Sequence, residues 1–128
     1  MTSTIIVTGA GGVGKTTLSA ALGAATAAEG RSTLVLTIDP AKRLADALGI
    51  PELGDTPVQI KRSDHMWAAM LDASASWEAI IHRYADPEVG SRLLANRYFQ
   101  ALADRFPAAQ SYAAGERMAE YIDALPSG

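Results

Sequence analysis

The sequence of 128 residues contains no cysteine and no long apolar run. Without cysteine the chain has neither a disulfide framework nor a cysteine-ligated zinc or iron–sulfur site, and the absence fits a reducing cytoplasm. The longest stretch of small and apolar residues, Leu18 to Ala28, is far shorter than the roughly 20 residues that a membrane span needs. The first residues also lack the positive charge that opens a signal peptide. We therefore expect a cytoplasmic protein with no direct membrane insertion.

Positive charge is also scarce. Lys and Arg number 11 against 14 Asp and Glu, which gives a net charge of -3. A protein that binds nucleic acid by neutralising phosphates would carry a basic surplus, so we expect no nucleic-acid partner. Hydrophobic residues make up 48% of the chain, which suits one small domain with a core of its own.

The first third of the sequence predicts a strand, a helix and a second strand. Thr4–Thr8 is a β-branched run closed by Gly9, and Ser32–Ile38 is a second such run. Between them, the alanine-rich segment Lys15–Ala25 predicts a helix that ends near Gly30. A βαβ unit of this kind has parallel strands.

The next segments are shorter, and the pattern then becomes helical. We expect a short helix over Ala41–Leu48 and a third strand over Val58–Ile60. From Met66 onward the apolar residues recur at helical spacing, and Asp86 with Pro87 predicts a helix start. The apolar stripes comprise Met66, Met70, Trp77, Ile80, Ile81 and Tyr84; then Val89, Leu93, Leu94, Tyr98, Leu102 and Phe106, ended by Pro107; and Tyr112, Met118, Ile122 and Leu125 in a last helix over Ala109–Leu125. The expected organisation is a nucleotide-binding βαβ portion in residues 1–64 and an all-helical region in residues 65–128.

The turn after the first predicted strand fits the phosphate-loop pattern G-x-x-x-x-G-K-[ST] over Gly9–Thr16. Glycines let backbone amides approach phosphate oxygens without an intervening Cβ. The helix that follows adds its free amides and the positive end of its dipole. The same glycines fit the dinucleotide pattern G-x-G-x-x-G, but the Lys-Thr pair directly after Gly14 favours a mononucleotide.

The predicted nucleotide-binding residues are Gly11, Gly12, Val13, Gly14, Lys15, Thr16 and Thr17. Among them, Lys15 supplies a mobile charge for the β- and γ-phosphates, and the Thr16 hydroxyl is placed to ligate Mg²⁺. Thr17 is expected next to the α-phosphate. The cofactors predicted by the motif are therefore ATP and Mg²⁺.

Asp39 ends the second predicted strand, as an acid ends a Walker B segment. It has two interpretations. In the first interpretation, Asp39 orients or deprotonates the attacking water, or holds Mg²⁺ through its hydration shell. Alternatively, it caps the helix from Ala41, with Pro40 at the first helical position.

Two segments carry a family resemblance: Gly9–Thr17, and Thr37–Gly49 with its D-P-A-x-x-L-x-D pattern. Together they resemble the arsenical pump-driving ATPase (ArsA-like) family of deviant Walker A ATPases. Leu94–Gln100 and Tyr112–Met118 also look like the helical region of bacterial members. The resemblance implies that Asp39 is the switch I aspartate that activates water, with Lys15 as a catalytic phosphate-binding lysine and Thr16 as the metal ligand. It also implies a homodimer, or pairing with an ArsA-like paralogue, and leaves the client unknown.

The sequence departs from the family pattern at two positions and lacks one segment. The signature lysine, second in the loop, is Ala10 here, and the histidine of D-P-A-H is Lys42. In the family the signature lysine reaches the partner's phosphates across a dimer, which Ala10 cannot do. Lys42 and its neighbour Arg43 either face the nucleotide or form a solvated basic pair. No D-T-x-P switch II segment occurs in these 128 residues, so the chain resembles the N-terminal part of a longer ATPase.

These observations predict an α/β fold of the P-loop NTPase type. It would be a Rossmann-like three-layer arrangement with a short, incomplete parallel sheet and a helical C-terminal half. The leading hypothesis is an MgATP-binding module of an ArsA-like ATPase, which couples nucleotide state to a transport or targeting client. The alternatives are a truncated, non-enzymatic fragment with weak or no nucleotide binding, and a ParA/MinD-like partitioning ATPase.

Overall fold

A computed structural model describes residues 3–38, 42–105 and 107–124, with all side chains in those ranges except those of residues 73–75, 104 and 107–110. The described chain forms helices and strands in both halves. The helices are α1 (Lys15–Ala28), α2 (Arg43–Leu48), α3 (Ala73–Tyr84), α4 (Pro87–Ala95), α5 (Arg97–Arg105) and α6 (Pro107–Ala124), and the strands are β1 (Thr33–Thr37), β2 (Val58–Gln59) and β3 (Met66–Met70). The chain divides into two compact units, Ser3–Met70 and the residues from Leu71 onward.

The first unit contains a three-stranded sheet in the order β1-β3-β2. Strands β1 and β3 are parallel, with Thr33 opposite Met66 and Thr37 opposite Met70. Strand β2 is antiparallel to β3. The predicted α/β class is thus confirmed, whereas the predicted parallel sheet is wrong in one respect, because the sheet is mixed.

Helix α1 packs on this sheet through a row of small residues. Ala20, Gly23 and Ala27 are its buried positions, one helical turn apart. A Cβ at Gly23 would clash with the Val35 side chain and come within 3.0 Å of the Met66 methyl group. The absence of a side chain at Gly23 therefore sets how closely α1 approaches β1 and β3.

Helix α1 and strands β1 and β2 confirm the predictions made for their segments, and α2 starts two residues later than predicted. The strand predicted at Thr4–Thr8 does not form: residues 3–9 are irregular, and Ile5 and Ile6 are 68% and 76% exposed. A β-branched run becomes a strand only where a neighbouring strand accepts its backbone hydrogen bonds. In the sheet formed by the described residues, no strand pairs with residues 3–9.

The helical prediction is also wrong for Met66–Met70, which is strand β3. Ala68 and Ala69 are fully buried, and backbone pairing with β1 determines the conformation. A short apolar run with buried faces on both sides fits a central strand and a buried helical turn equally well. Periodicity alone therefore could not assign this segment.

The second unit is helical from the start of α3 at Ala73 onward, as predicted for this part of the chain. Trp77 of α3 meets Phe99 of α5 edge to face, with ring centroids 6.0 Å apart, and stacks on Tyr112 of α6 at 5.9 Å. Asp86 is the N-cap residue of α4 and Pro87 its first residue, as predicted. None of the helices in the described ranges is both long and apolar enough to cross a membrane.

The apolar stripe predicted from Val89 to Phe106 is divided between two helices. Asn96 adopts an extended conformation after α4, and its side-chain oxygen accepts hydrogen bonds from the amides of Tyr98 (2.8 Å) and Phe99 (3.3 Å). Asn96 thus satisfies amides that the start of α5 leaves without helical acceptors. Phe106, at the end of the stripe, lies outside the described residues.

Candidate phosphate-binding loop

The candidate site is the glycine-rich turn that leads into α1. Gly12 and Gly14 have φ angles of 76° and 92°, a region that residues with a Cβ rarely adopt. Gly14 is the N-cap residue of α1, and no side chain forms a capping hydrogen bond there. The first amides of α1 have no carbonyl acceptor within the helix. The loop therefore presents several backbone donors at a positive helix end.

Open space lies over three of the loop glycines. A Cβ placed on Gly11, Gly12 or Gly14 would meet no heavy atom of the described chain within 4 Å. The neighbouring Val13 side chain is 66% exposed. The loop is thus shaped by backbone conformation and leaves room beside its glycines for an outside group.

Lys15 folds back over the loop that it follows. Its Nζ donates a hydrogen bond of 2.6 Å to the carbonyl oxygen of Ala10. This contact holds the ammonium group beside the loop backbone, although Lys15 is the first residue of α1.

Two hydroxyl groups near the start of α1 differ from those further along the helix. Ser19 donates to the Lys15 carbonyl at 2.9 Å, and Thr26 donates to the Leu22 carbonyl at 2.8 Å. In the described chain the hydroxyls of Thr16 and Thr17 have no such partner. Both hydroxyls therefore remain able to bind a ligand at the loop.

The packing of α1 on β1 places the loop at one particular edge of the sheet. Gly23 lies against Val35, in the middle of β1, and the helix C-terminus connects directly to the start of that strand. Lys15 lies eight residues before Gly23, about 12 Å away along the axis at the usual helical rise. The loop therefore lies toward the carboxyl ends of β1 and β3, the edge at which α/β sheets bind ligands.

Residues that follow β1 lie at the same edge. Thr37 ends β1 and Met70 ends β3, and with Lys42 and Glu52 they line a small pocket. Lys42 is the N-cap residue of α2, and its side chain is exposed.

Asp39, the predicted catalytic acid, lies outside the described residues. The alternative interpretation made it the cap of a helix from Ala41, with Pro40 at the first position. That boundary is wrong, because α2 begins at Arg43 and its N-cap residue is Lys42. The catalytic interpretation of Asp39 stays a prediction.

The sequence leaves two interpretations open for Lys42 and Arg43, a nucleotide-facing pair or a solvated pair, and in the structure the two residues have different surroundings. Arg43 already has an interaction partner, whereas Lys42 lines the pocket at the carboxyl edge. The sequence held one signal for the position of Lys42: it follows a predicted parallel strand, and residues that follow such strands gather at the carboxyl edge of the sheet.

Comparison with known proteins shows a family match over most of the chain and relatives that share part of its sequence. Residues 2–126 match the family described as Anion-transporting ATPase. The chain is 44% identical over 69 residues to ATPase ARSA1 of Chlamydomonas reinhardtii, covering 53% of this chain and 9% of that protein. It is 40% identical over 70 residues to the ATPase ASNA1 homolog of Cryptosporidium parvum, covering 55% and 19%, and 36% identical over 77 residues to ATPase GET3 of Rhodotorula glutinis, covering 60% and 22%. The matched segments thus make up less than a quarter of the length of each of these relatives.

Proposed function

Because the chain belongs to the anion-transporting ATPase family, we propose that its glycine-rich loop binds MgATP and that the fold is that of a P-loop NTPase. For a protein that extends to the length of these relatives, we propose that this site hydrolyses ATP and couples nucleotide state to a transport or targeting client. The relatives that share this segment are named as ATPases. The matched part of each relative is short, so the proposed activity is taken from the family as a whole and not from any one relative.

The conformation of the loop carries the proposal. Gly12 and Gly14 have positive φ angles, Lys15 donates across the loop to Ala10, and the first turn of a 14-residue helix follows. Successive amides that point into one concavity bind anions, and a helix N-terminus strengthens the field there. The open space over Gly11, Gly12 and Gly14 leaves room for the phosphate group that the proposal places there.

The residues also fit a magnesium ion beside the phosphates. The Thr16 hydroxyl has no acceptor in the described chain, and a hydroxyl at this position of the motif is a hard oxygen ligand of the kind Mg²⁺ prefers. When bound, the ion supplies charge neutralisation between the β- and γ-phosphates. Thr17 would donate to the α-phosphate, and Lys15 would move from the Ala10 carbonyl to the β- and γ-phosphate oxygens.

Asp39 is proposed to orient the attacking water, on the strength of the resemblance of the segment after β1 to switch I. A carboxylate that accepts a proton from water in line with the γ-phosphate favours its attack. Hydrolysis also draws on a switch II segment in the family, and these 128 residues contain no D-T-x-P sequence.

A second candidate function is nucleotide binding without turnover by this segment. Two observations favour it: the absent D-T-x-P segment and the presence of Ala10 where the family has its signature lysine. A homodimer, or a pair with an ArsA-like paralogue, would then lack the lysine contact across the interface. The ParA/MinD-like alternative is disfavoured, because the family match extends over residues 2–126.

Nucleotide binding is the direct test. We expect the purified chain to bind a fluorescent ATP analogue in the presence of Mg²⁺ and Lys15→Ala to bind at least tenfold more weakly, because the variant loses the one loop cation. Lys61→Ala removes the same charge from the turn before β3 and serves as the matched control. Equal affinities for the wild type, Lys15→Ala and Lys61→Ala would contradict the assignment of the loop.

A further inference from the structure

The basic residues of the first unit are divided between the two edges of its sheet. Arg31 follows α1 and precedes β1, and its guanidinium donates to Ser3 at 3.3 Å. Lys61 and Arg62 lie in the turn before β3. Since β1 and β3 are parallel, these three residues share the amino edge. The carboxyl edge, where the loop lies, has Lys15, Lys42 and Arg43.

Lys15 is the one cation within the loop itself. The second loop position holds Ala10, and the Lys15 ammonium already contacts the Ala10 carbonyl at 2.6 Å. Loop amides mainly surround the α- and β-phosphates, so a terminal phosphate projects beyond them. A triphosphate remains anionic after it binds magnesium and one lysine, which leaves a negative charge at its terminal group for another cation.

Lys42 is the residue at this edge that can supply the cation. Among the residues that the structure describes, it forms no ion pair or side-chain hydrogen bond, whereas Arg43 is already engaged. Glu52 lines the same pocket as Lys42 without pairing with it. Packing between α1 and α2 keeps the start of α2 on the side of the sheet that carries the loop helix. A lysine has a flexible four-carbon stem that lets its ammonium sample a wide volume.

We propose that Lys42 is a second phosphate-binding residue, whose ammonium pairs with the terminal phosphate of ATP held by the loop. This proposal rests on the proposed function, since it needs a nucleotide in the loop. It makes Lys42 a determinant of ATP over ADP, because ADP lacks the phosphate that the residue contacts. The charge that position 10 lacks would thus be supplied from the segment after β1.

Parallel measurements of ATP and ADP affinity test the proposal. For Lys42→Gln we expect MgATP binding to weaken about tenfold, a charge-assisted contact being lost, while MgADP binding changes less than about twofold. Lys42→Arg keeps the charge and should recover most of the ATP affinity. Lys61→Gln removes an exposed lysine at the amino edge and should change neither affinity. Circular dichroism checks that each variant is folded. Because the Lys42 side chain is exposed, we expect its substitution to leave the fold intact.

The outcomes separate this proposal from the proposed function. If Lys15→Ala weakens ATP binding as expected but Lys42→Gln binds as Lys61→Gln does, the loop assignment stands and the role of Lys42 is wrong. If Lys42→Gln weakens ATP and ADP equally, the terminal-phosphate contact is likewise overturned. If the wild type binds no MgATP, or Lys15→Ala binds as well as the wild type, the proposed function fails and the role of Lys42 with it.

Discussion

At the scale of single residues, the hydroxyl groups of α1 show how one residue type serves two purposes. Thr26 donates back to the Leu22 carbonyl, which satisfies the hydroxyl within the helix. Thr16 is the second residue of α1, so the residue four positions before it lies outside the helix. The Thr16 hydroxyl has no partner in the described chain. The first is an internal contact of the helix, whereas the second is available to a metal ion.

Replacement of these two threonines by valine should separate the purposes. Thr16→Val keeps the side-chain shape and removes the proposed Mg²⁺ ligand, so we expect the gain in ATP affinity on adding Mg²⁺ to shrink by about tenfold. Titration of ATP with and without a chelator measures that gain. Thr26→Val is the matched control, and it should retain the full magnesium dependence. A Thr16→Val protein with the same magnesium dependence as the control would exclude Thr16 as a ligand.

At the scale of elements, glycines inside helices have opposite consequences in α1 and α6. A Cβ at Gly23 of α1 would clash with the Val35 side chain and lie 3.0 Å from the Met66 methyl group, whereas a Cβ at Gly115 of α6 would meet no atom of the described residues outside its own helix within 4 Å. Alanine favours a helix over glycine by about 0.5–1 kcal/mol at an unobstructed site. Packing therefore decides whether that preference is realised.

Alanine substitution at both glycines should give changes of opposite sign. Gly115→Ala should raise the free energy of unfolding by about 0.5–1 kcal/mol. Gly23→Ala should lower it by about 1–3 kcal/mol, since the added methyl group forces α1 away from the sheet. Urea denaturation of the two variants and the wild type measures both changes. A stabilised Gly23→Ala protein would show that α1 does not pack on β1 at this distance.

Some helices could be predicted from local sequence alone, whereas some strands could not. Local signals fixed α1, since alanine-rich composition and the loop glycines act within a few residues. The start of α4 followed from Asp86 and Pro87 for the same reason. Thr4–Thr8 and Met66–Met70 depended instead on pairing with distant residues, and local pattern assigned both wrongly. The glycine-rich turn before α1 was also predicted from residue spacing, and its role in nucleotide binding stays a prediction. The difference between Lys42 and Arg43 depends on their positions relative to the sheet.

At the scale of the whole molecule, binding and hydrolysis make different demands on chain length. The loop, α1 and Lys42, which carry the proposed phosphate contacts, all lie within the unit Ser3–Met70. The hydrolysis proposed from the family resemblance would also draw on a D-T-x-P segment, and these 128 residues do not contain one. The relatives to which the chain is similar extend far beyond the matched segment.

We therefore expect the 128-residue chain to bind MgATP and to release no phosphate above background. Without a switch II segment nothing in the chain would couple the γ-phosphate to a water held by Asp39, and positioning supplies most of the catalysis in this chemistry. Phosphate release under saturating MgATP measures turnover, with Asp39→Asn as the control that keeps the loop intact. Both proteins should bind ATP alike and show the same background rate. A rate that the wild type has and Asp39→Asn loses would mean that the loop and the segment after β1 suffice for hydrolysis.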